Sequence, residues 1–255
     1  MSLEGRVALV TGGSRGIGRA IAEGLAEDGA DVAVNYRRDR EAADEAVSAI
    51  QALGRRALAV QGSVDSLEDD RRLVAEVEEA LGPIDILINN AGLASRGQSV
   101  LDTDPGELER VVRTHALGPH HLCQAVLPGM RTRPRGDIVM ISSAATSTYG
   151  PNGAPYNMGK AAMEALAFTL AKEERDHGIH VNVVAPGIVD TEMGRRLVKA
   201  TQGISDMRDL DASMPFGRVC QPEDVAAVVR FLVSDGAGYV TGEKLQVHGG
   251  GGSRR

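Results

Sequence analysis

Tyr156 and Lys160 stand four residues apart in the stretch Tyr156-Asn157-Met158-Gly159-Lys160. On a helix that spacing places both side chains on one face. A free phenol titrates near pH ~10 and is a poor acid or base at neutrality. A neighbouring ammonium favours the phenolate and lowers that pKa. The pair therefore reads as a proton donor and acceptor with a tuning group beside it. Taken alone the spacing is weak, since a surface lysine following a turn tyrosine looks the same. Its context is more informative. Ser142-Ser143 ends an apolar run, Ser143 lies thirteen positions before the tyrosine, and a glycine-rich stretch opens the chain.

That stretch is Thr11-Gly12-Gly13-Ser14-Arg15-Gly16-Ile17-Gly18. It follows a short apolar run at 6–11 and precedes a helical pattern with Ile17, Ala20, Ile21, Gly24 and Leu25 on one face. Strand, glycine turn and helix together aim backbone N–H groups and a helix N-terminus at a phosphate. Gly12, Ser14, Arg15, Gly16, Ile17 and Gly18 are the expected cofactor-binding residues of this turn. A second strand, 31–36, ends in Arg37-Arg38. Dinucleotide sites that prefer NAD usually carry an acidic residue at this point. Here Tyr36 and two arginines stand instead, and Arg15 faces the same place from the glycine turn. An arginine cluster suits a 2′-phosphate through charge-assisted bonds, so the expected cofactor is NADP(H). The plain alternative is a solvated basic turn, and Asp39 nearby works against the cluster.

The elements that must position these groups follow from the hydrophobic pattern. Strands are expected at 6–11, 31–36, 56–61, 84–89, 136–143, 179–185 and 243–248. Helices are expected at 40–53, 67–81, 105–130, from Tyr156 to about His177, and at 222–234. Strand and helix alternate through short links, which implies an α/β, doubly wound parallel sheet covered by helices on both faces. Ligands bind such sheets at the carboxyl ends of the strands. Ser63 and Val64 follow the third strand and Asn90, Ala91 and Gly92 the fourth, and all five are expected at the cofactor. Pro119 should interrupt the 105–130 helix, because an interior proline removes a hydrogen bond and clashes with the preceding turn. Residues 192–216 are the least patterned part of the chain. The tail 249–255 reads as flexible.

Composition narrows the function classes. The chain has 255 residues, a formal charge of −7 and 42% hydrophobic residues. An acidic surface argues against nucleic acid as a general partner. No stretch approaches the ~20 apolar residues of a membrane span. No leader pattern precedes the first strand, so a cytoplasmic location is the default expectation. Cys123 and Cys220 form no CxxC pattern and are expected to be free thiols; the six histidines show no metal spacing, and no metal is expected.

TGGSRGIG at 11–18, NNAG at 89–92, Ser143, the YxxxK of Tyr156 and Lys160, and Pro186-Gly187 followed by Thr191 resemble, in this order and spacing, the short-chain dehydrogenase/reductase family. The likeness covers nearly the whole chain and is greatest to the 3-oxoacyl-(acyl carrier protein) reductases. It implies one Rossmann-like catalytic domain over 1–255 with a small mobile substrate lid near 192–216. It implies hydride transfer between the nicotinamide and a carbonyl/alcohol pair. Tyr156 would be the proton donor, Ser143 would orient the substrate oxygen, and Lys160 would bind the nicotinamide ribose and lower the tyrosine pKa. Pro186, Gly187, Val189 and Thr191 would face the nicotinamide, with the Thr191 hydroxyl on its carboxamide. Family members carry an asparagine that holds a water for the lysine where this chain has His115. A protonated His115 would oppose the lysine's charge; a neutral one could bind a water or simply pack.

The resemblance also implies a homo-oligomer, dimer or tetramer, built on the 105–130 helix and the Tyr156 helix. It suggests a 3-oxoacyl thioester as substrate and acyl carrier protein as a possible partner. Arg131, Arg133 and Arg135 are the basic groups such an acidic partner would meet, although His177 stands where a further arginine is expected. The alternatives are a generic ketone, sugar or secondary-alcohol dehydrogenase, and a cofactor-binding regulator with weak catalysis.

Overall fold

The computed structural model describes residues 2–251. The tail residues 252–255 lie outside them. Seven strands form one sheet: β1 (Val7–Val10), β2 (Asp31–Tyr36), β3 (Ala57–Gln61), β4 (Ile86–Asn89), β5 (Gly136–Ile141), β6 (Ile179–Pro186) and β7 (Lys244–Val247). All pairs are parallel and the order is β3-β2-β1-β4-β5-β6-β7. Every expected strand is present, with its ends within two residues of the expected bounds.

The strands are apolar on both faces because helices cover both. Side chains alternate along β1: Ala8 and Val10 enter one core, Val7 and Leu9 the other. The first core takes Ile21 and Leu25 of α1 (Gly16–Glu27), Ala46 and Ile50 of α2 (Arg40–Ala52), and Val225 and Val229 of α9 (Pro222–Leu232). The second takes Leu73 and Val77 of α3 (Leu67–Leu81), Leu122 and Val126 of α5 (Gly118–Met130), and Met163 and Ala167 of α7 (Ala154–Glu174). Strand order reverses between β1 and β4, and the crevice at their carboxyl ends is where such sheets hold ligands.

Between α4 (Pro105–Val112) and α5 the chain makes one π-helical turn, Arg113–Leu117. The expected break at Pro119 does not occur. The wider turn just before it changes the hydrogen-bond register, and Pro119 falls in the first turn of α5, where a missing N–H is tolerated. A short helix, α6 (Ala145–Thr148), follows β5 and was not expected from the sequence pattern.

The segment 192–216 is more ordered than its pattern suggests. It holds α8 (Glu192–Gln202), whose Gly194 N–H is capped by the Thr191 hydroxyl at 3.1 Å. Two 3₁₀ turns follow, Met207–Ser213 and Pro215–Gly217. Val198, Met207, Leu210 and Val219 form a small core of their own. Cys123 and Cys220 are both free thiols. Among the described residues no helix is long and apolar enough to cross a membrane.

Candidate active site

The glycine turn is held by side chains from two other strands. Asn90 Nδ2 donates to Thr11 O at 2.8 Å, and Thr11 Oγ1 accepts from the N–H groups of Asn90 and Ala91 at 2.9 and 3.0 Å. From β2, Asn35 Oδ1 accepts from Gly12 N–H at 3.3 Å, and Asn35 Nδ2 reaches the Gly62 carbonyl at 3.1 Å. The packing is close enough that a Cβ on Gly18 would lie 2.3 Å from the Gly12 carbonyl oxygen. Arg15, the residue before α1, offers no side-chain cap, so the first N–H groups of the helix stay open to an anion. Thr191 lies against this turn, with its Cγ2 3.2 Å from where a Cβ of Gly16 would be.

The arginines are less free than the sequence suggests. Arg15 bridges Asp39 at 2.7 Å and Glu192 at 3.0 Å. Arg37 stands 4.0 Å from Asp65, and Arg38 is exposed. These pairs are solvated, and such pairs contribute ~0–1 kcal/mol each. A dianionic phosphate can displace them. Asp39 itself accepts from Ala42 N–H at 3.1 Å as the N-cap of α2.

The chemical groups lie beyond β4, at the end of β5 and on α7. Ser143 leaves the end of β5; its hydroxyl accepts from Ala145 N–H at 3.2 Å, which leaves the hydroxyl proton available. Tyr156 and Lys160 lie on one face of α7, with Lys160 Nζ 5.8 Å from the centre of the phenol ring. Burial raises the Tyr156 pKa above its usual value, and the Ser143 hydroxyl opposes that shift. Lys160 is buried and donates to the Ile141 carbonyl at 2.6 Å. Burial pulls its pKa down to about 7, with Glu164 acting against the fall. The ammonium faces a backbone carbonyl, and the Ser143 hydroxyl favours the phenolate.

His115, in the π-helical turn, is fully buried. Its Nε2 lies 2.8 Å from the Leu93 carbonyl and its ring meets Tyr156 edge to face. Burial, with the charge of Lys160, lowers its pKa to about 3. The imidazole is neutral at working pH and adds no positive charge beside the lysine. With Nε2–H donating to the Leu93 carbonyl, Nδ1 is left as a buried acceptor with no partner among the described residues.

Seven parallel strands run in this order, with a glycine turn after β1, Ser143 after β5, and Tyr156 and Lys160 on α7. Residues 12–251 match the sequence family described as enoyl-(acyl carrier protein) reductase. An uncharacterized oxidoreductase of Methylorubrum extorquens is 41% identical over 97% of this chain and 98% of its own. The chain belongs to the short-chain dehydrogenase/reductase family. It is thus an oxidoreductase acting on a carbonyl/alcohol pair. The 3-oxoacyl-(acyl-carrier-protein) reductase of Staphylococcus aureus is 36% identical over 95% of this chain and 96% of its own. A short-chain dehydrogenase from Burkholderia cenocepacia, solved in complex with NADP, superposes with a TM-score of 0.88 at 35% identity, covering 98% of both chains.

Within this short-chain dehydrogenase/reductase, several of the residues expected at the cofactor also hold the fold together. Asn90 is committed to the glycine turn. Ser63 turns to α3, its N–H to Asp69 at 2.9 Å and its hydroxyl to Asp65. Val64 is buried, and Val189 is buried beside Cys220. Gly187 packs on His248, 3.0 Å from its Cβ to where a side chain would start. Arg131, Arg133 and Arg135 do not form a free basic patch. They pair with Glu174 at 2.6 Å, Asp85 at 2.6 Å and Asp137 at 2.9 Å. Those carboxylates are almost fully buried and need a counter-charge. Asn35 was missed by sequence reasoning; a polar residue inside an apolar strand was the only signal.

Proposed function

We propose that this protein reduces a carbonyl group, or oxidises the corresponding alcohol, with NADP(H) as its cofactor. The observation that supports this is the meeting of α7, which carries Tyr156 and Lys160, with the carboxyl end of β5 before Ser143, where Lys160 Nζ holds the Ile141 carbonyl at 2.6 Å. When bound, the dinucleotide would supply or accept the hydride. Its pyrophosphate would lie on the glycine turn and the open N–H groups of α1. Arg37 and Arg38, with Arg15 once freed from its carboxylates, would hold the 2′-phosphate. Lys160 would face the ribose of the nicotinamide half, and Thr191 its carboxamide.

The chain's own residues would do the rest. Tyr156 gives its hydroxyl proton to the substrate oxygen in the reducing direction. The raised pKa keeps that proton on the phenol until it is needed. Ser143 donates a hydrogen bond to the same oxygen and fixes its position. Lys160, with a pKa of about 7, can pass a proton towards the phenol at neutral pH.

A 3-oxoacyl thioester is the proposed substrate class, supported by likeness to the Staphylococcus aureus reductase. Acyl carrier protein is a poor fit as the donor. The arginines that would meet it are neutralised, and the formal charge of −7 repels an acidic partner. A coenzyme A-type thioester needs no such patch. The groove between α5 and α7, lined by Leu127, Leu166 and Leu170, suits the expected second copy of the chain.

The test is NADPH oxidation with acetoacetyl-CoA against a panel of simple ketones and sugars. Turnover of the thioester above the panel is expected. Good rates on a ketone without turnover of the thioester would move the enzyme to the general carbonyl reductases.

A further inference from the structure

Three consecutive residues lead out of β5, and each is gripped by a side chain. Lys160 Nζ holds the carbonyl of Ile141 at 2.6 Å. One turn further along α7, Glu164 Oε1 accepts from the Ser142 hydroxyl. Thr146 Oγ1 lies 2.7 Å from the Ser143 carbonyl and 2.7 Å from the same Glu164 oxygen. It has one proton for those two acceptors. Glu164 Oε2 accepts from Lys244 of β7 at 2.9 Å, and the same ammonium donates to Thr146 Oγ1 at 2.7 Å. Ser142, Thr146 and Glu164 are all buried.

A buried carboxylate costs several kcal/mol to desolvate, and an apolar side chain would pack α7 on the sheet at least as stably. Stability alone therefore does not account for Glu164. What a carboxylate adds is a set of bonds of fixed length and direction to the residues that flank Ser143. Glu164 also continues the row of Tyr156 and Lys160 at helical spacing, so the clamp and the proton donor ride on one rigid element.

We propose that Glu164 is a positioning residue which, through Ser142 and Thr146, fixes Ser143 against Tyr156, with Lys244 as its counter-charge. The proposal rests on the roles given above to Ser143 and Tyr156. Glu164 has a second effect through Lys160. Facing Lys160 are Tyr156 and Glu164 on its own helix, His115 from the π-helical turn and the Ile141 carbonyl from β5. Lys244 is held on the far side of Glu164, on its Oε2. Glu164 is the acidic group that keeps the Lys160 proton in place against burial.

The experiment compares Ser142→Ala, Glu164→Leu and Glu164→Gln in the full chain. The Tyr156 titration is followed by NMR with ¹³Cζ-labelled tyrosine, assigned by Tyr156→Phe, and NADPH-linked kinetics are measured from pH ~6 to ~8. Ser142→Ala and Glu164→Leu should raise the Tyr156 midpoint, because a displaced Ser143 no longer favours the phenolate. They should lower kcat on the order of 10- to 100-fold while KM for NADPH holds. Glu164→Gln keeps an acceptor oxygen for Ser142 and Thr146. It should recover kcat at the acid end and lose it towards the alkaline end, as Lys160 gives up its proton earlier. An unmoved Tyr156 midpoint in Ser142→Ala overturns the proposal, as does a Glu164→Gln loss that is the same at every pH. Ser142→Ala deletes one hydroxyl and decides the matter should Glu164→Leu not fold. The NMR readout needs no turnover, so absence of carbonyl reduction would refute the proposed activity and leave the clamp to be judged by Tyr156.

Discussion

The rings of His115 and Tyr156 meet edge to face, with centroids 5.2 Å apart and planes at 81°. The imidazole fills the space over Gly92 so closely that a Cβ there would lie 2.6 Å from His115 Cε1. The π-helical turn carries the ring into this slot, and the neutral state follows from its burial. His115 thus supports the phenol ring and the Leu93 backbone together.

His115→Asn should lower stability by about 1–3 kcal/mol through the lost aromatic pair and the space left behind, and should not raise kcat. The histidine's folded pKa of about 3 lies below its ordinary 6.5, so the unfolded chain binds more protons between those values. The parent loses stability as pH falls through that window, and the variant lacks this part of the acid sensitivity. Denaturant melts across pH ~3–7, with kcat at neutrality, check both. A large rise in kcat would show that the histidine impairs a relay that asparagine restores.

Arg37 and Arg38 follow the strand end where the adenosine ribose is expected. Arg37→Ala combined with Arg38→Ala should weaken NADPH binding on the order of 10- to 100-fold, as the loss of charge-assisted bonds implies, and leave NADH binding unchanged. Fluorescence titration of both cofactors reads this directly. Equal loss for both would place the arginines outside the 2′-phosphate site.

Asp70, on α3, is fully buried, and among the described residues both its oxygens lack a partner within hydrogen-bond geometry. His121 Nδ1 stands 3.4 Å away. Burial, with Asp69 and Asp65 nearby, pushes the Asp70 carboxyl up to about 8 from its ordinary 3.8. The folded state then holds a proton that the unfolded chain releases, so stability falls as pH rises from the lower value to the higher. Asp70→Asn should stabilise the protein on the order of 1–2 kcal/mol near pH ~8, with the gain vanishing near pH ~4. Chemical denaturation at the two pH values measures it.

The sheet was legible in the sequence because strands buried on both faces read as short continuous apolar runs, and Ile86–Asn89 or Val7–Val10 could be little else. That Tyr156 and Lys160 share a helix and that Ser143 follows a strand end was legible from spacing. The π-helical turn at Arg113–Leu117 was not, because one widened turn leaves the apolar period nearly unchanged. Nor were the partners of Arg131, Arg133 and Arg135. Which buried carboxylate each arginine meets depends on contacts such as Arg133 with Asp85, 48 positions apart. The same holds for Glu164 and Lys244, 80 positions apart.

The most direct test of the account is NADPH-linked carbonyl reduction by Tyr156→Phe beside the parent, with NADPH binding measured on both. The variant lacks only the hydroxyl that gives the proton. The account expects kcat to fall by ~10²–10⁴ while NADPH binding is kept. Activity close to the parent's, with binding equally intact, would show that Tyr156 is not the proton donor and that the site works by other groups.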